Sequence, residues 1–100
     1  MRTSTIGRTA TTVYTDDDGT HVQYHATRVV SFDADTITLR SGGWETATTK
    51  TRMNQTANQH GLGFYVYQRD HVWYVTKPNG ETVEFVDGMT FSRHTEPVAA

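Results

Sequence analysis

Residues 46–61 read TATTKTRMNQTANQHG, and this stretch decides the fold class. It holds no proline, and its one glycine is the last residue, Gly61, the natural residue for a left-handed helix stop. At about 100° per residue, Thr46, Thr49, Met53, Thr56, Ala57 and His60 share one face. Thr48, Thr51, Arg52, Gln55, Asn58 and Gln59 share the other, with Lys50 and Asn54 on a flank. The spacing predicts an amphipathic helix over about 46–60. Threonine and asparagine are poor helix formers. Such a helix forms only if Met53 and its neighbours pack on a sheet.

Upstream, the period changes to two. Residues 11–15 form a short apolar and hydroxyl-bearing run, and Asp16-Asp17-Asp18-Gly19 follows as a turn. Over 21–32, Val22, Tyr24, Ala26, Val30 and Phe32 alternate with His21, Gln23, His25, Thr27 and Ser31. That alternation predicts one half-buried strand, with a bulge or break near Arg28, which falls on the apolar side. Asp33-Ala34-Asp35 turns the chain into 36–40, where Ile37 and Leu39 point inward. The expectation is a three-strand antiparallel meander ending at Ser41-Gly42-Gly43.

Downstream, 63–68 carries Phe64-Tyr65-Val66-Tyr67, and 71–77 carries Val72-Trp73-Tyr74-Val75. Pro78-Asn79-Gly80 marks a turn before 81–86, and Asp87-Gly88 precedes a last short strand, 89–92. This predicts a second antiparallel meander of three to four strands. The whole reads as an α+β domain, with one helix laid across one small sheet or roll.

Composition agrees. Nineteen threonines and ten valines stand against two leucines and two isoleucines, and both of the abundant types suit a pleated surface. The core must therefore rest on Val and on two Trp, five Tyr and four Phe, rings that each bury roughly 150–250 Å². A length of 100 residues suits a single domain over 1–100, with 1–10 and 95–100 expected as frayed polar ends. A net charge of −2 and the absence of long apolar runs exclude a polyelectrolyte tail and a helical membrane span. There is no cysteine, which removes disulfides, CxxC redox chemistry and Cys-based zinc sites. Residues 1–10 hold no apolar core of a secretory signal.

No catalytic or metal motif stands out, and neither a catalytic residue nor a cofactor is expected. The Asp16–Gly19 cluster lacks the glutamate that a calcium loop requires at its twelfth position, where Thr27 stands. His21 and His25, on one strand, would lie about 13 Å apart at ~3.3 Å per residue, too far to share one zinc. They read as exposed strand positions. His60 and His71 have no partner visible in sequence. Ser41-Gly42-Gly43 before the helix lacks both common phosphate-loop patterns. A metal-free nuclease assembled from His25, His71, Lys50, Arg52 and a tyrosine is conceivable, yet no spacing selects it. Trp44 and Trp73 read as packing residues, and one face of the Trp73 strand is expected to be wet.

The most suggestive stretch is 46–69, which has Lys50, Arg52 and Arg69 and no acid in a chain that is acidic overall. Arg, Asn and Gln read base edges, and Lys and Thr contact phosphates. The sequence-level expectation is non-enzymatic nucleic-acid binding by Lys50, Arg52, Asn54, Gln55, Asn58 and Gln59, supported by Arg69. The alternative is a protein-binding modulator of a host or defence factor, using an aromatic sheet face or an open edge. An open edge is also a route to a homodimer.

The segment GGW-x-T-x-TTK-x-RMN, Gly42 to Asn54, together with Gly61-Leu62-Gly63-Phe64 and Trp73-Tyr74-Val75, resembles a group of short bacteriophage-encoded proteins. The resemblance covers roughly residues 30 to 92. It implies an accessory protein acting in the cytoplasm of an infected bacterium, by binding nucleic acid or a host protein. It brings no catalytic residue or ligand set to place on this chain.

Overall fold

The computed structural model describes residues 11–43 and 45–94. The expectations for 1–10, for Trp44 and for 95–100 lie outside the described residues.

The chain opens with β1 (Thr11–Asp16) and β2 (Gly19–Tyr24), an antiparallel pair in which Asp16 faces Gly19 across the turn. Asp16 Oδ1 accepts the Asp18 N–H at 2.9 Å, the local bond that makes aspartate a turn residue. Gly19 has φ 135, and a Cβ there would collide with the Phe32 carbonyl oxygen, so only glycine fits this crossing.

The single strand expected over 21–32 is instead two. His25 enters the left-handed region at φ 55 and the chain reverses at His25-Ala26, giving β3 (Thr27–Phe32) paired back on β2. The irregularity expected near Arg28 is a bulge one residue on. Val22 faces Val30 while Gln23 faces Arg28, so Val29 is extra, and Val29 and Val30 are both buried. The even alternation of the sequence hid the reversal, because a two-residue turn leaves the period nearly in step. With β4 (Thr36–Leu39), the first meander has four strands.

Helix α1 (Ala47–His60) follows. Thr46 is its N-cap, its side chain accepting from the Thr49 N–H at 3.2 Å. Gly61 ends it at φ 64, and the Leu62 N–H closes on the Ala57 carbonyl at 2.9 Å. Its buried residues are Thr49, Met53, Thr56 and Ala57, all from the face expected to be inward. Thr56 returns its hydroxyl to the Arg52 carbonyl at 2.8 Å, which removes the cost of burying a polar group.

The second meander is β5 (Tyr65–Arg69), β6 (Val72–Thr76) and β7 (Thr82–Glu84), a three-stranded antiparallel sheet. The last strand, β8 (Met89–Ser92), does not extend it. It pairs with β4, with Ile37 facing Phe91, so the first sheet has the order β1-β2-β3-β4-β8. The α+β class is as expected, built as two sheets rather than one. Apolar matching and anchors at both ends explain the choice of partner. Gly88 N–H bonds the Leu39 carbonyl at 2.8 Å, and Arg93 N–H bonds the Asp35 carbonyl at 2.9 Å. Asp87 Oδ1 takes the Ser41 N–H at 2.9 Å.

One core joins the two sheets and the helix. It comprises Val22, Val29, Val30, Ile37, Leu39 and Phe91 of the larger sheet, Val66, Trp73 and Val75 of the smaller, and Met53 and Ala57 of α1. Leu62, Phe64 and Phe85 close it from the connections. Phe64 meets Phe91 edge-on at 5.9 Å, which ties the chain after the helix to the last strand. A fully buried side chain of this kind contributes roughly 1.5–3 kcal/mol, so the helix is held by Met53 far more than by its own propensity.

Candidate nucleic-acid interface

The helix residues singled out by sequence are largely engaged within the fold. The Lys50 ammonium stands 5.8 Å from the centroid of the Trp73 ring. Arg52 donates through Nε to Thr11 Oγ1 at 2.9 Å and through Nη1 to Gln55 Oε1 at 3.4 Å, and its guanidinium lies 5.6 Å from the Tyr24 ring centroid. Asn54 bonds the backbone of Val66 in β5. These four side chains orient the helix between the sheets. Asn58 and Gln59 are exposed on the last turns of α1. Arg69 stands apart from all of them, exposed at the end of β5.

Arg69 belongs instead to a face that the sequence left open. In β5, Val66 points to the core, so Tyr65, Tyr67 and Arg69 point away from it. In β6, Trp73 and Val75 are buried, so Val72, Tyr74 and Thr76 share that outward face. Register then sets three rows: Tyr65 with Thr76 and Thr82, Tyr67 with Tyr74 and Glu84, and Arg69 with Val72. The wet side of the Trp73 strand is therefore the tyrosine side.

The three tyrosine rings form one stack. Tyr65 and Tyr67 have centroids 5.9 Å apart with planes inclined by 21°, and Tyr67 and Tyr74 are 5.6 Å apart at 27°. Tyr74 and Tyr67 are half-buried, whereas Tyr65 at the end of the stack is 57% exposed. A ring held by its neighbours and open on one side is a preorganised platform, because little side-chain entropy is left to lose on binding. The exposed Arg69 side chain makes no hydrogen bond, ion pair or ring contact with any described residue, so its charge is available. Thr76 and Thr82 join their hydroxyls at 3.0 Å along the adjacent row. Glu84 is the acid on this face, opposite Tyr74. The signal in sequence was the Tyr-x-Tyr-x-Arg spacing over 65–69, which puts all three residues on one side of a strand.

The histidines divide. His21, expected to be exposed, is instead 3% exposed and bonded at both ring nitrogens. Its face of β2 is covered because Tyr14 of β1 leans over it, with ring centroids 5.2 Å apart. His25 and His71 sit in turns at φ 55 and φ 68. His60 packs on Phe32 at 4.9 Å, and its Nε2 is buried without a hydrogen-bond partner. Burial first, and the Arg93 charge second, hold its pKa below the usual histidine value. Among the described residues no three His, Cys, Asp or Glu side chains gather as a metal site. No helix among them is long and apolar enough to cross a membrane.

The family model described as Kyanoviridae Gp96 protein matches residues 1–92. No curated protein and no solved structure matches the chain.

Proposed function

The chain belongs to the Kyanoviridae Gp96 family and is a phage protein, and from that premise we propose that it is an accessory protein that binds single-stranded nucleic acid on its tyrosine face. The observation that carries this reading is the stack of Tyr74, Tyr67 and the half-open Tyr65. An unpaired base continues the stack on Tyr65, because every base has a π face and stacking needs no particular sequence. Arg69, four residues along the same strand face, meets a neighbouring phosphate. Duplex bases are already stacked on each other and cannot enter, so the reading is specific for single strands.

The charge on this face sets a quantitative expectation. One arginine against one glutamate makes about one phosphate contact, which gives a salt slope near −0.7 for a single strand. Stacking, at roughly 1–3 kcal/mol per base, carries the affinity. The helix residues Lys50 and Arg52 enter this reading as supports of the fold.

The test is fluorescence anisotropy with mixed-sequence single- and double-stranded probes, titrated with salt. The expected result is preference for single strands with a shallow salt dependence. Tyr65→Ala with Tyr67→Ala should weaken binding at least tenfold. Undiminished binding by that double variant, together with loss in Lys50→Ala/Arg52→Ala, returns the interface to the helix. No binding to any probe at low salt overturns the reading. A host protein held by the same tyrosine face, and not displaced by oligonucleotide, would then favour the modulator alternative.

A further inference from the structure

The outward face of the five-stranded sheet carries an arrangement that the tyrosine stack does not use. Register sets Tyr14, His21, Ser31, Thr38 and Thr90 in one row across all five strands. His21 Nε2 lies 2.9 Å from Asp16 Oδ1, and Nδ1 lies 2.8 Å from Ser31 Oγ. The bond from His21 first, and the Asp18 N–H second, hold the Asp16 carboxyl below its usual range, so it is the ionised acceptor of the Nε2 proton. Thr38 and Thr90 join hydroxyls at 2.9 Å farther along the row. A cavity of about 220 Å³ opens over this row, lined by His21, Ser31 and Thr38, with Arg28 and Arg40 among its walls.

The bulge brings Arg28 to this face, and strand alternation brings Arg40. Arg28 and Ser31 are three residues apart, and in a regular strand they would point to opposite faces. Val29 is the extra residue, so Arg28 comes round to the Ser31 side. Arg40 follows Leu39, whose side chain is in the core, and its N–H bonds the Val29 carbonyl at 3.0 Å. Arg40, just past the end of β4, therefore faces the same side and lines the cavity with Arg28. Neither guanidinium has an ion pair within 4 Å among the described residues, though the Arg28 charge adds to the lowering of the Asp16 carboxyl. Arg28 lies 5.5 Å from the Tyr14 ring centroid, and Arg40 is exposed. The acids at the other end of the cavity are Asp18 and Asp33. Asp33 is occupied by the N–H groups of Asp35 and Thr36 and by the Thr36 hydroxyl.

We propose that this cavity is a phosphate-monoester site, with the phosphate oxygens between Arg28 and Arg40 and the rest of the ligand over Ser31 and Thr38. Both guanidinium groups border the cavity, and their planar forks match phosphate oxygens in pairs. The cavity is smaller than the roughly 300 Å³ at which drug-sized pockets begin, so it suits a phosphate with a short hydroxyl-bearing body. The phosphate can come from a small sugar or polyol phosphate or from the phosphorylated end of a nucleic acid.

The experiment is a heteronuclear NMR titration of the full chain with inorganic phosphate and with glycerol phosphate. Saturable shifts of the Arg28 and Arg40 Nε–H signals are expected. Arg40→Gln, an exposed position without a side-chain partner among the described residues, should fold normally and weaken binding at least tenfold, while Tyr67→Ala should leave it unchanged. Equal binding by Arg40→Gln and Arg28→Gln, or shifts that never saturate, overturns the proposal. Competition by oligonucleotides with a terminal phosphate but not a terminal hydroxyl assigns the source to nucleic-acid ends; equal competition by glycerol phosphate assigns it to small phosphates. Because Tyr67→Ala separates the two faces, this site and the tyrosine platform stand or fall independently.

Discussion

Asn54 completes the backbone hydrogen bonding of Val66. Its Nδ2 donates to the Val66 carbonyl at 2.8 Å, and its Oδ1 accepts the Val66 N–H at 2.8 Å. A helix side chain thus pairs with the free edge of β5 as another strand would. Unpaired edges are templates for association, and the amide blocks this one at its middle. Asn54→Ala is expected to destabilise the fold by about 1–3 kcal/mol, the cost of leaving such groups unpaired. It is also expected to increase self-association. Urea unfolding and sedimentation at several concentrations check both, and an unchanged urea midpoint would remove the structural role of Asn54.

His21 is the polar centre of the larger sheet. His21→Ala leaves the Ser31 hydroxyl without its ring partner and opens a void under Tyr14. The expected loss is about 2–3 kcal/mol, read by thermal or urea unfolding. An exposed strand histidine, as the sequence suggested, would change stability by less than about 0.5 kcal/mol.

Stability should fall in acid in two stages. The folded pKa of His60 is lowered, so the unfolded chain takes up that proton first. Its contribution is complete above the ordinary histidine value of about 6.5 and is lost as pH falls below it. Asp16 and Asp33 are held below the usual carboxylate range, chiefly by hydrogen bonds from His21 and from the Asp35 N–H respectively. Their contributions are present above about 3.9 and are lost as pH falls through their folded values. His60→Leu should remove the first stage and leave the second. Melting temperatures across this range decide it, and a wild-type curve flat around the first window would contradict the His60 assignment.

The N-cap can be tested on a helix with weak intrinsic propensity. Thr46→Ala removes the acceptor for the Thr49 N–H and is expected to cost about 1 kcal/mol. Thr46→Asp, which keeps an acceptor and adds a favourable charge at the helix start, should match or exceed the wild type. Circular dichroism melts compare the two, and equal stabilities for Thr46→Ala and Thr46→Asp would mean that the cap carries no weight.

The local units were legible in the residues that form them. Period and punctuation located the helix, its Met53 face and its Gly61 stop, and they marked the Asp16–Gly19 and Pro78–Gly80 turns. Those features depend on residues within a turn or two of one another. Tertiary structure alone decided the rest. It split 21–32 at His25, paired β8 with β4, buried His21, and turned Arg28 to the Ser31 side through Val29. It also made Asn54 an edge cap and left Tyr65 open. A strand's neighbour, and the face it shows to water, are set by pairing with residues remote in the chain. A pattern of alternating side chains is the same whichever of its two faces is buried.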